Sequence, residues 1–312
     1  MSKSISLICA LITTFIWGTA FIAQDTGMDN IGPLTFNAAR FFVGFVTVLP
    51  IALLVERGKI IENINLDKKL FFKYLFLMSL SLFFGTYLQQ TSLLYTNIAN
   101  AAFFTVFYVP LVPIILFIIY KIKVHWSIWP SILLCIIGVY FLSDFSNSEI
   151  LIGDSLVILC SVFWALHIIF AGKFMEKFDI PIFFAALQAI LVGMYSLLFA
   201  LLFEEINLTN ILLENYSIIY AGFLSGGIAF TLQMYAQKNI EEAPAAIIYS
   251  LEGVFAALAG WIILNQMLDF SNILGCFIIL IAVILSQITP SFKKLTVRDN
   301  NCLLYTSDAA DE

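Results

Sequence analysis

Histidine and charge are what this sequence has least of. Only two His occur, His125 and His167, too few for a His-rich zinc centre or for catalysis that needs several imidazoles. Charged residues fill 12% of 312 positions, about half the share of an ordinary soluble domain, and cannot coat a globule of this size. Four of the five Cys (Cys9, Cys135, Cys160 and Cys276) sit in apolar runs without C-x-x-C spacing, which supports neither a disulfide framework nor a metal site. There is no Gly-Lys-Ser phosphate loop, no H-E-x-x-H pair and no polar stretch long enough for a soluble domain. ATP-driven transport within this chain therefore lacks a sequence basis. No enzymatic activity, metal or other cofactor is expected, and a net charge of −6 argues against a nucleic-acid partner.

What the chain has in excess is apolar surface: 61% hydrophobic residues and a mean hydropathy of +0.98. Its solvent is lipid. A bilayer-crossing helix needs about 20 apolar residues, and ten such runs can be marked, at 4–24, 33–55, 70–93, 97–119, 127–143, 153–172, 181–203, 217–237, 244–264 and 272–289. Stretches such as 111–120 are continuously apolar rather than alternating, which excludes barrel strands. The expected fold is an all-α membrane protein of ten transmembrane helices. The first run follows Lys3 like a signal peptide, but it is long and has no small-x-small cleavage site, so it reads as retained.

The basic residues orient the chain. With a cytoplasmic N-terminus, the inner segments collect 14 of the 15 Lys and Arg. The outer connections 25–32, 94–96, 144–152, 204–216 and 265–271 have none, and carry acidic residues such as Asp25, Asp144, Glu149, Glu204, Glu214 and Asp269. This is the positive-inside pattern, and it also checks the count, because one helix more or fewer would scatter the charges. Both termini fall on the cytoplasmic side of the inner membrane. The fifteenth basic residue, Arg40, lies inside the second run.

The chain also resembles itself. Gln89 falls on Gln233, Ala99 on Ala243, Ser127 on Ser271 and Val139 on Val283 at an offset of 144; Trp17 falls on Trp164 at 147 and Pro33 on Pro181 at 148. Two five-helix copies, 4–144 and 153–290, follow. Since five is odd, the second enters the membrane inverted, a construction of secondary transporters that rock around a midplane site.

Ten helices in two copies, Phe15-Ile16-Trp17-Gly18-Thr19-Ala20-Phe21, Phe163-Trp164-Ala165, and LEGVFAALAGWIILNQ from Leu251 to Gln266 together resemble the EamA family of the drug/metabolite transporter superfamily over about residues 4–290. Gly253 stands where that family often has Pro, and Gln266 where it often has Glu. The resemblance implies a multi-pass carrier that exports small metabolites, commonly amino acids or related compounds, or drugs. Its partners would be a small-molecule solute and the lipid bilayer, with monomer and homodimer both open. An importer or exchanger of similar solutes and a non-transporting scaffold or sensor are the alternatives.

Polar groups inside the runs are the candidate site, since burying them in lipid is costly. Arg40, with Asn37 one turn before it, either ties helices together or offers a planar fork to a substrate carboxylate. Glu252, with Tyr249 on the same stripe, is the most central carboxylate: a proton-coupling site, a partner for a substrate amine, or a hydrogen-bond donor between helices. Gln89, Gln188 and Gln233 belong to an amide set able to bind a zwitterion or to join helices. His167 reads as an interhelical hydrogen-bonding residue or a cavity residue. Trp17 and Trp164 either pack or stack an apolar solute. Pro110, Pro113, Gly222, Gly226 and Gly227 permit kinks or close helix approach.

Beyond residue 290 the pattern ends. Residues 291–312 read as a cytoplasmic tail whose last part, CLLYTSDAADE at 302–312, looks like the translation of a sequencing adapter rather than a native terminus.

Overall fold

Lipid offers a backbone no hydrogen-bond partner, so an apolar run must satisfy its amides within itself, as a helix. The structure, a computed structural model, describes residues 2–96, 98–142, 152–265 and 267–288, and among these there are helices and connections but no strand. In chain order they are α1 (Lys3–Thr26), α2 (Pro33–Val55), a short α3 (Arg57–Leu66), α4 (Lys68–Ser92), α5 (Ile98–Thr105), α6 (Tyr108–Tyr120), α7 (Ile128–Leu142), α8 (Ile152–Met175) and α9 (Pro181–Phe203). The short α10 (Leu208–Leu213) and α11 (Asn215–Tyr220) follow, then a π-helical stretch Ala221–Ala229, α12 (Phe230–Gln237), α13 (Glu242–Tyr249), α14 (Leu251–Leu264) and α15 (Phe270–Ile288).

Among the described residues, nine helical stretches are long and apolar enough to cross a membrane, and α7, at 15 residues, is a shorter apolar helix. The expected end of that run at Ser143, the acidic Asp144 and Glu149, Gln266 and the tail 291–312 lie outside the described residues. Three runs expected to be continuous are composite. Residues 97–119 divide into α5 and α6, 244–264 into α13 and α14, and 217–237 passes through the π stretch. The connection at 56–69 holds α3.

The bundle is apolar outside and polar within. Phe15, Leu54, Phe72, Leu133, Leu201 and Ile262 are exposed, while Asn37, Arg40, Gln90, His167, Gln188, Gln233 and Glu252 are buried. That distribution suits a lipid surround. Close packing comes from small residues. α7 and α15 approach through Gly138 and Gly275, where an added Cβ would lie 2.9 and 2.5 Å from the other glycine's carbonyl oxygen. Asn272 and Ser271 at the start of α15 donate to the last carbonyls of α7, of Leu142 at 3.0 Å and Phe141 at 2.9 Å, satisfying groups that no further turn could reach.

Ion pairs gather the basic connections at one end. Asp179 pairs with Lys59 at 3.1 Å and with Lys238, Asp67 with Lys177 at 2.7 Å, and Glu242 with Lys173 at 3.1 Å. Partial burial works against charge on Asp179, and the two ammonium groups outweigh it, holding this carboxyl below its ordinary value. At the other end Asn30 donates to Glu214 at 2.6 Å and Thr96 to Asp154 at 2.6 Å.

A reciprocal pair of carboxylate caps joins the two ends. Pro33 and Pro181 open α2 and α9; their rings preset the first turn and remove an N–H that has no intrahelical acceptor. The next N–H groups of α2, from Leu34 and Thr35, both donate to Glu204 at 2.8 Å, and the Thr35 hydroxyl adds a third bond at 2.7 Å. Glu204 is the residue that ends α9. Conversely, Ile182 and Phe183 at the start of α9 donate to Glu56 at 3.1 and 2.8 Å, and Glu56 ends α2. The two 23-residue helices thus run antiparallel, each closing the other's positive pole.

Glu204→Ala would leave three donors without an acceptor, for a loss of about 1–2 kcal/mol. The melting temperature of the detergent-purified protein is expected to fall, with Glu204→Gln, which keeps one acceptor oxygen, in between. An unchanged melting temperature for Glu204→Ala would show the cap to be idle.

Candidate functional site

Two helix breaks build the site. After α5, the N–H groups of Val106 and Phe107 bond to the carbonyls of Phe103 and Phe104 at 3.1 and 3.2 Å, tight turns that redirect the chain into α6. Between α13 and α14 stands Ser250, whose hydroxyl donates to the Ile247 carbonyl at 2.6 Å and receives the Cys135 thiol at 3.1 Å. Neither junction holds Gly or Pro. The first turns that follow carry Tyr108 and Glu252, 144 positions apart, and these two meet, the phenol donating to Glu252 Oε1 at 3.4 Å.

Around this meeting point lies a cavity lined from several helices and the π stretch. Seven of the residues singled out from sequence line it: Trp17 from α1, Arg40 from α2, Gln89 from α4, Trp164 from α8, Gln233 from α12, Tyr249 from α13 and Glu252 from α14. Asn37, His167 and Gln188 are fully buried and are not among its lining residues. His167 and Gln188 bond to each other, Nε2 to Oε1 at 3.2 Å, an interhelical contact between α8 and α9.

The walls are aromatic. Phe230, the first residue of α12, is the hub: its ring centre lies 5.2 Å from Trp17 and 6.2 Å from Trp164, stacked on the latter. The two Trp rings are 6.1 Å apart, and Tyr249 meets Trp17 edge-on at 5.6 Å. Large rigid rings of this kind form a fixed apolar surface against which a solute can rest.

Arg40 is the charge of the site. It is 3% exposed; its Nη1 donates to Gln24 Oε1 at 2.8 Å, and the guanidinium lies 5.6 and 5.1 Å from the rings of Phe36 and Phe41. Gln24 is anchored in turn, because its backbone carbonyl receives Gln90 Nε2 at 2.6 Å. Nε of Arg40 is buried without a partner, and among the described residues no carboxylate pairs with the group. In particular, Arg40 and Glu252 line one cavity without forming an ion pair. Arg40 is placed by the π stretch. An added Cβ on Gly222 would lie 2.6 Å from the Arg40 carbonyl oxygen, and one on Gly44 would lie 2.9 Å from the Gly226 backbone. Without side chains there, α2 can lie close enough for the guanidinium to enter the cavity.

Sequence reasoning missed Gln24, Thr86, Tyr108, Ser225 and Phe230, all of which line the cavity. For Tyr108 the signal was present: it is Glu252's partner at the offset of 144 that already matched Gln89 with Gln233. Thr86 and Ser225 carry no charge to single them out, and Gln24 falls at the end of the first apolar run.

Arg40→Met provides a test of what the guanidinium is for. If the site holds an unneutralised charge for a ligand, removing it is expected to hold or raise the melting temperature of the purified protein, since an unpaired buried charge costs stability. A fall of several degrees would instead make Arg40 a structural tie between α1 and α2.

Comparison with known proteins converges on one group. The profile of the EamA-like transporter family matches residues 4–144 and again 151–287. An uncharacterized transporter of Archaeoglobus fulgidus is 31% identical over 88% of this chain and 83% of its own length. The uncharacterized transporter YoaV of Bacillus subtilis is 23% identical over 90% of this chain and 96% of its own. A solved crystal structure superposes with a TM-score of 0.74 over 92% of this chain and 98% of that one, at 14% identity, which establishes a shared fold. The chain belongs to the EamA-like transporter family of the drug/metabolite transporter superfamily, and is a multi-pass membrane protein.

Proposed function

We propose that this transporter works as a secondary carrier that exports small organic metabolites, amino acids or related compounds, across the inner membrane by alternating access. In this reading ten helices form two inverted five-helix repeats, 4–144 and 153–290, with both termini cytoplasmic. The antiparallel, mutually capped α2 and α9, the meeting of Tyr108 with Glu252 and the double match of one family profile all support the inversion. The clustering of Lys59, Lys173, Lys177 and Lys238 at one end supports that end as the cytoplasmic one.

One observation carries the functional reading: a buried cationic and a buried acidic side chain face a single aromatic-walled cavity without neutralising each other. Such a pair recognises a solute that brings a carboxylate to Arg40 and leaves Glu252 to take either a solute amine or a proton. Export by alternating access then needs the two halves to rock about the Tyr108–Glu252 contact.

Counterflow in proteoliposomes with labelled amino acids, at two pH values, tests this. Flux by the wild type is expected to depend on pH, and flux by Glu252→Gln to persist without that dependence. Absence of flux for every solute would remove the carrier reading. A pH response retained by Glu252→Gln would remove Glu252 as the proton site.

A further inference from the structure

The two halves part company at one corner of the cavity. In the first half, Gln89 Nε2 donates to Thr105 Oγ1 at 3.2 Å, and Thr105 donates on to the Ala101 carbonyl at 2.7 Å. The positions 144 further along are Gln233 and Tyr249. Both line the cavity, 0% and 1% exposed, and neither amide atom of Gln233 nor the Tyr249 hydroxyl has a hydrogen-bond partner in the protein. Trp17 Nε1, also without a partner, belongs to the same corner. Its ring abuts both Tyr249 and Phe230, and Phe230 lies one turn before Gln233.

Buried polar groups are as a rule satisfied, so three side chains left open in the lining of one cavity describe the complement of a ligand. The group they need can be read from the donors and acceptors. Trp17 N–H and the Gln233 amide nitrogen donate, the Gln233 carbonyl accepts, and the Tyr249 hydroxyl does either. A carboxylate would meet the donors but face the Gln233 carbonyl with like polarity, and an ammonium would do the reverse. A planar neutral group with a donor and an acceptor side by side satisfies Gln233 at both atoms, as an amide pairs with an amide or with a base edge.

We propose that Gln233, Tyr249 and Trp17 form a specificity subsite for a solute bearing a neutral donor–acceptor edge, such as a carboxamide, a ureide or a nucleobase, seated beside the Trp17 and Phe230 rings. The proposal rests on the transport reading only in taking this cavity as the solute site. It differs from that reading in assigning recognition to the uncharged corner, apart from Arg40 and Glu252.

Titration calorimetry on the detergent-purified full chain tests it, using glutamine, citrulline and adenine as the three edge-bearing probes and glutamate and norleucine as probes without the edge. At least one edge-bearing probe is expected to bind about tenfold or more tightly than both comparators, and its identity distinguishes the three sources. Gln233→Leu is expected to abolish the preference. If Gln233→Leu does not fold, Tyr249→Phe, which removes one oxygen and keeps the ring, is expected to weaken the preferred probe severalfold and leave norleucine unchanged. Equal binding of all probes, binding by none of the edge-bearing ones, or a preference untouched in Gln233→Leu or Tyr249→Phe would overturn the proposal. Preferential binding without flux in proteoliposomes would sink the carrier reading and leave the subsite standing; flux that ignores the edge would do the opposite.

Discussion

Every peptide group that enters the hydrocarbon must find its partner within the protein, and the architecture follows from where this chain meets that requirement by something other than a continuous α-helix. Among the described residues it does so at the turn between α5 and α6, the turn at Ser250, and the π stretch Ala221–Ala229. All three contribute to the cavity wall or stand beside it. Each is supported by its neighbours. Thr13 of α1 donates to the Ala229 carbonyl at 3.2 Å and Thr231 to that of Gly227 at 2.9 Å, so side chains serve two carbonyls at the end of the π stretch. Non-helical backbone is tolerated at membrane depth where protein surrounds it, and here it turns side chains inward that a straight helix would direct elsewhere.

The same constraint separates the parts of the molecule that hold still from the parts that stay unsatisfied. The caps of α2 and α9, the carbonyl bonds from α15 to α7 and the ion pairs at one end all leave their groups paired. Inside the cavity the balance is reversed: Arg40 lacks a carboxylate, and Gln233, Tyr249 and Trp17 keep open hydrogen-bonding atoms. Open polar side-chain atoms also occur away from the lining, on Asn37, His167 and Gln188; at the cavity they face space that a solute can fill. The aromatic cluster on Phe230 gives those open groups a rigid background.

Much of this could be read from the residues alone. Long apolar runs, the placement of Lys and Arg and the recurrence of Gln89 at Gln233 and of Trp17 at Trp164 pointed to a helical membrane protein and to seven of the cavity residues, because lipid burial and repetition leave strong marks in composition. The helix breaks were illegible. Val106, Phe107 and Ser250 are not helix breakers, and the break depends on what packs around them. Likewise Asn37, His167 and Gln188 could not be separated from Arg40 and Gln233 by residue type; which way each helix is rotated decides that, and close contacts such as Gly222 on Arg40 set the rotation. The reciprocal roles of Glu56 and Glu204 were hidden because each acts on a helix more than a hundred residues away.

The account stands or falls on whether the cavity opens alternately to both sides of the membrane. Ser225, buried on its wall, offers a small position for a reporter. In a Ser225→Cys chain with the five native Cys replaced, labelling by a membrane-impermeant thiol reagent would be followed from each side of oriented vesicles. With alternating access, labelling is slow from both sides. Labelling from one side only, or from neither, would contradict it.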